Sequence, residues 1–244
     1  MKKKFLIIIP ARYNSSRFPG KPLIKILGVP MLLRTYNQCL KVAPKDKIIV
    51  ATDDKRILKL CNDNEINCLM TSKNCLTGTD RIAEVSKKIK AAVYINVQGD
   101  EPICNIGDLK KLIKLALKNP NEIINGYTKI TNKKQFYSGN IPKVVFRNDG
   151  RLLYQSRAGI PTTKRIEFKK AWRQVCIYSL PIKKLEIFSK RRKKTTLENL
   201  EDCELMRFLE LGLEVKMIKM SNKSISVDTK DDIKKVIKVL KKNW

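Results

Sequence analysis

Apolar residues fall into two alternating rhythms along the first half of the chain. Phe5 to Ile9 is a continuous apolar run with β-branched residues, stopped by Pro10. Such a run predicts a strand buried on both faces. Pro30 to Lys41 predicts a helix, Lys47 to Thr52 a second strand, and Asp54 to Asp63 a second helix. Ile66 to Met70 predicts a short third strand. Thr79 opens a predicted helix to about Lys90, with Thr79 as its N-cap. Ala92 to Val97 predicts a fourth strand and Ile106 to Lys118 a further helix. Alternation at this spacing predicts an α/β fold, with a mostly parallel central sheet and helices on both faces.

After about residue 122 the rhythm changes. Ile123 to Ile130, Lys143 to Arg147 and Leu152 to Gln155 predict short strands, and Asn148-Asp149-Gly150 is a hairpin turn signal. These form a small mixed-strand extension of the sheet. Val175 to Leu180 and Glu214 to Met220 predict two more strands. Thr196 to Leu211 predicts one strong helix closed by Gly212, and Thr229 to Lys242 the final amphipathic helix. No repeat or low-complexity linker interrupts the 244 residues, so a single domain is expected.

Composition narrows the chemistry. The chain has no histidine. A Ser-His-Asp triad, an imidazole base and histidine-ligated zinc are therefore excluded. The seven cysteines never form a C-x-x-C pair and predict reduced, mostly buried thiols. The apolar run after Met1-Lys2-Lys3-Lys4 is too short for a secretory signal. Nor does any stretch approach the roughly 18 apolar residues of a membrane span. A cytoplasmic chain without membrane insertion is the expectation.

The formal charge of +29 raises nucleic-acid binding as a candidate. However, 39 of the 52 basic residues are lysine and only 13 are arginine. No aromatic residues interleave the basic runs as a stacking platform would require. A lysine-rich solvated surface explains most of the charge, with Lys190-Arg191-Arg192-Lys193-Lys194 the best exception. No nucleic-acid partner is expected.

Four polar segments fall at predicted strand ends or helix starts, and in open α/β sheets ligands bind beyond the strand ends. The segment Pro10-Ala-Arg-Tyr-Asn-Ser-Ser-Arg-Phe-Pro-Gly-Lys21 carries Arg12, Arg17 and Lys21 with Ser15, Ser16 and Gly20. Cations, hydroxyls and exposed N–H groups suit a triphosphate. It matches neither a Walker loop nor a dinucleotide fingerprint. Asn96-Val-Gln-Gly-Asp-Glu-Pro102 puts Asp100 at the mouth of the sheet, able to hold Mg²⁺ against phosphate oxygens. Thr77-Gly-Thr-Asp-Arg81 adds an arginine near a helix start. Asp228, in Ser226-Val-Asp-Thr229, reads alone as a helix cap. Paired with Asp100 it can complete a metal site.

Together these segments resemble the 3-deoxy-manno-octulosonate (KDO) cytidylyltransferases. The matching pieces include Ile9-Pro-Ala-Arg-Tyr-x-Ser-Ser-Arg-x-Pro-Gly-Lys-Pro-Leu23, Ala51-Thr-Asp53, Thr77-Gly-Thr-x-Arg81, Asn96 to Pro102, Ser156-Arg157, Leu197-Glu-x-x-Glu201, Glu204, Arg207-Phe-Leu209 and Val227-Asp-Thr229. They run in family order across nearly the whole chain. The resemblance implies the nucleotide-diphospho-sugar transferase fold and transfer of a cytidylyl group from CTP to an acidic sugar. It implies CTP on Pro10, Ala11, Arg12, Ser15, Arg17, Lys21, Thr79, Arg81, Gln98 and Asp100. It puts the sugar on Gln98, Arg157, Gln174, Tyr178, Glu201 and Glu204. Lys21, Asp100 and Asp228 would serve catalysis, with Mg²⁺ on the two aspartates. It also implies a homodimer in surface-polysaccharide synthesis. The nucleotide part would span about 1–121, the sugar-binding and dimer-forming part about 122–220, and the last helix 229–242.

Two departures from the family fall in the sugar half. The family's (Lys/Arg)-His-x-Gly-Ile-Tyr segment reads Arg173-Gln-Val-Cys-Ile-Tyr178 here, and Glu-Gln-Leu-Arg reads Glu204-Leu-Met-Arg207. Gln174, Cys176 and Leu205 are expected to face the sugar. They represent either drift or a different 3-deoxy-ulosonic acid, such as an amino-substituted one. Transfer to another acidic sugar or from another base is the neighbouring alternative, and a basic nucleic-acid-binding α/β protein the alternative from a different class.

Overall fold

A computed structural model describes residues 3–14 and 18–242. The first strand, β1 (Lys3–Ala11), is central because its apolar residues have no solvent-facing side to spare. Short β2 (Lys25–Ile26) and β3 (Val29–Pro30) form a small ribbon, and α1 (Met31–Leu40) follows. The chain continues through β4 (Ile48–Thr52), α2 (Lys55–Asp63), β5 (Cys68–Met70), α3 (Gly78–Lys88), β6 (Ala91–Val97) and α4 (Ile106–Lys118). Then come β7 (Ile123–Lys129), α5 (Lys133–Tyr137), β8 (Lys143–Phe146), β9 (Leu152–Ser156), β10 (Trp172–Pro181) and α6 (Ile182–Lys190). The last elements are α7 (Thr196–Glu201), α8 (Leu205–Glu210), β11 (Val215–Lys219) and α9 (Lys230–Lys242).

The main sheet runs β11-β7-β10-β6-β1-β4-β5. β6, β1, β4 and β5 are parallel, as are β7 and β11, whereas β10 is antiparallel to both of its neighbours, β6 and β7. The start of β10 therefore lies at the same edge as the ends of β6 and β7. Alternation along β1 splits the core. Ile7 and Ile9 pack on one face with Leu32, Tyr36, Leu109 and Leu112. Leu6 and Ile8 pack on the other with Ile82, Val85, Leu185 and Phe188. Each fully buried Leu or Ile contributes roughly 1.5–3 kcal/mol, which fixes the strand's depth and register.

The mixed extension is the β8–β9 hairpin, which β8 joins to β10. Its turn is the predicted one: Gly150 takes φ +86, its N–H donates to Arg147 O at 2.8 Å, and Arg147 N–H donates to Arg151 O at 2.8 Å.

Two expectations are corrected, and one helix is added. The α3 cap is Thr77, whose hydroxyl receives the Asp80 N–H while the Asp80 carboxylate accepts from Thr77 N–H, so Thr79 lies inside the helix. The predicted helix over Thr196–Leu211 is broken into α7 and α8 by Asp202, which takes a left-handed φ of 47. Local propensity favours continuity there, but the break frees Glu204 and Arg207 to meet α3. Helix α6 was not expected; it buries Leu185 and Phe188 directly after Pro181.

Candidate active site

The ends of β1 and β6 form the floor of a cavity of about 1030 Å³. Gly99 N–H donates to Pro10 O at 3.3 Å, joining the two strand ends. Lys21 follows a left-handed Gly20 and returns its side chain to this floor. Its ammonium lies 2.5 Å from Asp100 Oδ2, 2.9 Å from Val227 O and 3.6 Å from Asp228 Oδ1. Val227 N–H donates to Asp100 O at 3.0 Å, so the segment before α9 is tied to the end of β6. Two hard carboxylates and a carbonyl thus converge on one cation. That hard-oxygen donor set fits a magnesium ion that keeps waters and takes phosphate oxygens. Among the described residues no third acidic or thiol ligand completes an all-protein cage.

Glu101 points away from this floor. It is 2% exposed, accepts from the Ser226 hydroxyl and leaves Oε2 without a partner. Burial, reinforced by Asp100 and Asp228, pushes its carboxyl up to about 7, although Ser226 and Arg173 act the other way.

One wall is the start of α3. The Glu204 carboxylate accepts from Gly78 N–H at 3.2 Å, from Thr79 N–H at 3.1 Å and from the Thr79 hydroxyl. A carboxylate there complements the helix dipole. Burial raises the Glu204 pKa, and the bonds from Thr79 and Gly78 oppose the rise. Arg81 is buried and bonds Asp53 at 2.9 Å and the Thr71 hydroxyl. Behind it, Arg207 is fully buried between Glu198 at 2.6 Å and Asp80 at 2.7 Å.

The opposite wall is the start of β10. Pairing with β7 slips between Val175 and Tyr178, and the Asn125 side chain fills the gap by donating to Val175 O and Ile177 O at 3.1 and 3.0 Å. Such bulges re-aim side chains beside functional sites. Alternation sends Val175 and Ile177 into the core, while Gln174, Cys176 and Tyr178 line the cavity. Gln174 donates to the Tyr178 hydroxyl at 3.1 Å and accepts from Gln155 Nε2 at 2.6 Å. Burial pushes the Tyr178 hydroxyl and the Cys176 thiol well up from their ordinary values.

The family model described as cytidylyltransferase matches residues 6–236. The chain belongs to the cytidylyltransferase family. It is 37% identical to a 3-deoxy-manno-octulosonate cytidylyltransferase of Chlamydia pneumoniae, across 94% of this chain and 91% of that relative. It is 36% identical to the mitochondrial 3-deoxy-manno-octulosonate cytidylyltransferase of Arabidopsis thaliana, across 94% of this chain and 80% of the relative. A solved structure described as CMP:2-keto-3-deoxy-manno-octonic acid synthetase complexed with CTP superposes with a TM-score of 0.89 at 31% identity. That match covers 99% of this chain and all of the other. The KDO cytidylyltransferase resemblance carried by the motifs, and the nucleotidyltransferase fold, are therefore borne out.

Within this cytidylyltransferase fold the expected residues take different places. Pro10, Ala11, Arg12, Lys21, Gln98, Asp100 and Asp228 line the cavity together. Ser15 and Arg17 lie outside the described residues. Thr79 is engaged by Glu204, and Arg81 lines the cavity with its guanidinium held by Asp53. Arg157 also lines it, but its guanidinium donates to Glu201 O, Gly139 O and Asp202 O at 2.8–3.0 Å. Glu201 sits behind the wall, accepting from Arg157 N–H at 2.9 Å and the Tyr154 hydroxyl at 3.3 Å.

Leu205 corrects an expectation. It is 1% exposed in the core and does not line the cavity, because the turn at Asp202 directs it into the layer beneath β9 and β11. Two residues were missed. Arg173 lines the cavity without a carboxylate partner among the described residues, and its place beside Gln174 in the quoted segment was the available signal. Lys143 is fully buried and donates to Ser138 O and Arg157 O; nothing in the sequence marks it.

Proposed function

We propose that this chain transfers a cytidylyl group from CTP to 3-deoxy-manno-octulosonate. The sugar's anomeric hydroxyl oxygen bonds to the α-phosphorus and gives up its proton to solvent. The bond from that phosphorus to the bridging oxygen breaks, and pyrophosphate leaves with that bond's electron pair. The observation that carries this reading is full-length similarity to KDO cytidylyltransferases, combined with the convergence of Lys21, Asp100 and Asp228 on one point beyond the end of β6. The reaction requires mainly positioning and charge neutralisation, so a histidine-free site is sufficient.

In this reading Asp100 and Asp228 hold Mg²⁺, which neutralises charge on the phosphates when bound. Arg12 and Lys21 grip the triphosphate from the β1 end. Gln98 and Tyr178 face the junction between nucleotide and sugar. Gln174 and Glu204 receive the sugar, while Arg157 and Glu201 shape the wall behind it. A homodimer acting in the cytoplasm, supplying surface-polysaccharide synthesis, belongs to the same proposal. No helix among the described residues is long and apolar enough to cross a membrane.

The test is pyrophosphate release with each common nucleoside triphosphate against a panel of sugar acids. CTP with a 3-deoxy-octulosonic acid should be the productive pair, and release should require a divalent cation. Equal rates with all bases, or release only with sugars lacking a carboxylate, would overturn the reading.

A further inference from the structure

Two glutamines from different strands form a buried relay behind the cavity. Gln155 on β9 is 1% exposed, does not line the cavity, and donates through Nε2 to Gln174 Oε1 at 2.6 Å. Gln174 on β10 is 6% exposed and donates through its own Nε2 to Tyr178 Oη at 3.1 Å. Only Gln174 and Tyr178 of the three line the cavity.

The direction of this relay decides what the wall offers. A glutamine amide has one acceptor oxygen and two N–H donors. Gln155 occupies the Gln174 oxygen, and Tyr178 occupies one Gln174 N–H. The second Gln174 N–H remains for a ligand. Tyr178 already accepts from Gln174, so its own O–H is left to donate elsewhere. The wall presents donors.

The reverse direction is disfavoured by burial. As arranged, Gln155 Oε1 is buried without a partner. Turning both amides would bury the Gln155 NH₂ group without an acceptor instead. Orphaned N–H groups are rarer in folded proteins than under-satisfied carbonyl oxygens. Gln155 is therefore the residue that sets the polarity of a surface it does not belong to.

We propose that Gln155 is a positioning residue for substrate specificity: it holds Gln174 and Tyr178 as a donor surface that accepts an oxygen of the sugar and rejects a protonated amine there. This rests on the reading that the β10 side of the cavity receives the sugar. A hydroxyl can turn to accept from such a surface. An ammonium has three donors and no acceptor, and meets it donor to donor. The consequence is a preference for the hydroxylated 3-deoxy-ulosonic acid over an amino-substituted one.

The experiment compares wild type, Gln155→Met and Gln155→Glu in pyrophosphate release with CTP. The sugars are the parent acid and analogues in which each hydroxyl in turn is replaced by an amine. Methionine keeps the length and removes the donor. Glutamate keeps the shape and, when ionised, offers only acceptors, so the Gln174 amide turns toward it and its oxygen faces Tyr178. Wild type should disfavour at least one amine analogue by about tenfold or more in kcat/KM, the range seen when a buried polar group is left unpaired. Gln155→Met should raise the KM of the parent sugar, leaving kcat and the KM for CTP near wild type. Gln155→Glu should lose the discrimination against that same analogue. Melting temperature is followed alongside, because a purely structural role would lower it and move both KM values together. The proposal is overturned by an unchanged amine-to-hydroxyl ratio in both variants, by a wild type that prefers an amine, or by joint loss of stability and both KM values. A wild type that releases no pyrophosphate with any of these sugars overturns the proposed function as well, and is told apart by that inactivity.

Discussion

The Lys21 ammonium sits 2.5 Å from Asp100 Oδ2, and so partly neutralises a carboxylate proposed to hold a metal. In the nucleotide-free chain a divalent cation must compete with this lysine. Lys21→Ala should then act in two directions. It should lower kcat/KM for CTP by at least about tenfold, or ~1.4 kcal/mol of transition-state stabilisation. It should also tighten Mn²⁺ binding to the nucleotide-free chain, read by the loss of free-ion signal in electron paramagnetic resonance. Unchanged Mn²⁺ affinity would show that the lysine does not compete.

Asp100→Asn and Asp228→Asn remove charge and keep size. Both side chains are partly exposed, at 28% and 31%, so stability should change little. Turnover should fall by about 10²-fold or more, the usual scale for losing an electrostatic stabiliser at a reacting phosphate. Near-wild-type rates in the Asp100 variant at saturating Mg²⁺ would remove the metal assignment.

Arg207 has a structural role of comparable weight. Its guanidinium is fully buried between Glu198 and Asp80, and a cation–π contact to Phe188 at 3.9 Å covers its face. Arg207→Met leaves the buried Glu198 carboxylate uncompensated, which costs about 3–5 kcal/mol. For a domain of this size the melting temperature should drop by about 10 °C. Adding Glu198→Gln should recover part of the loss, because it removes the stranded charge. A double variant less stable than the single one would count against this account.

Lys143 predicts a pH effect. Burial, with Arg157 nearby, depresses its pKa to about 8 from 10.5. Between those values the unfolded chain binds the proton and the folded chain does not, so folding stability rises with pH across this window. The contribution is complete above about 10.5 and is lost as pH falls through about 8. Its size is on the order of 3 kcal/mol. The stability difference between wild type and Lys143→Met should therefore grow in favour of wild type from pH 8 to 10.5, read by urea denaturation. A constant difference across the window would refute it.

How much of this was legible in the sequence depended on how local the cause was. Phe5–Ile9, Ala92–Val97 and Ile106–Lys118 were readable because a long apolar run or stripe has no alternative to burial. The β1 and β6 loops were readable because polar residues directly follow such runs. The turn at Asp202 was not, because Thr196–Leu211 is made of good helix formers and the break serves Glu204 and Arg207, which meet α3. Arg157 was expected to meet the sugar, yet three backbone carbonyls brought together by folding hold its guanidinium. Leu205 looked like a lost pocket amide. Restoring glutamine there would bury an amide in the core, so Gln174→His alone is the cleaner reversion.

Gly99 tests whether the joined strand ends carry the chemistry. A Cβ added there would lie 3.0 Å from Pro10 O and 3.5 Å from the Ala11 Cβ. Neither contact is the tip of a flexible side chain. The Pro10 carbonyl belongs to the end of β1, which β4 holds through the Pro10–Ala51 and Ala11–Thr52 register. It can yield only by moving the strand end that lines the cavity, or by moving Gly99 and with it Asp100. Gly99→Ala should therefore displace Asp100 from Lys21 by a few tenths of an ångström and weaken the Gly99 N–H bond to Pro10 O. A shift this small costs catalysis more than folding, because positioning at a reacting phosphate is steep in distance while the core beneath stays packed. The expected result is about a tenfold or larger fall in kcat/KM for CTP, with a melting temperature lowered by only a few degrees. Unaltered kinetics would mean that the two strand ends are not held in the geometry the reaction uses. A collapse in stability would mean that the junction supports the fold first and the chemistry only indirectly.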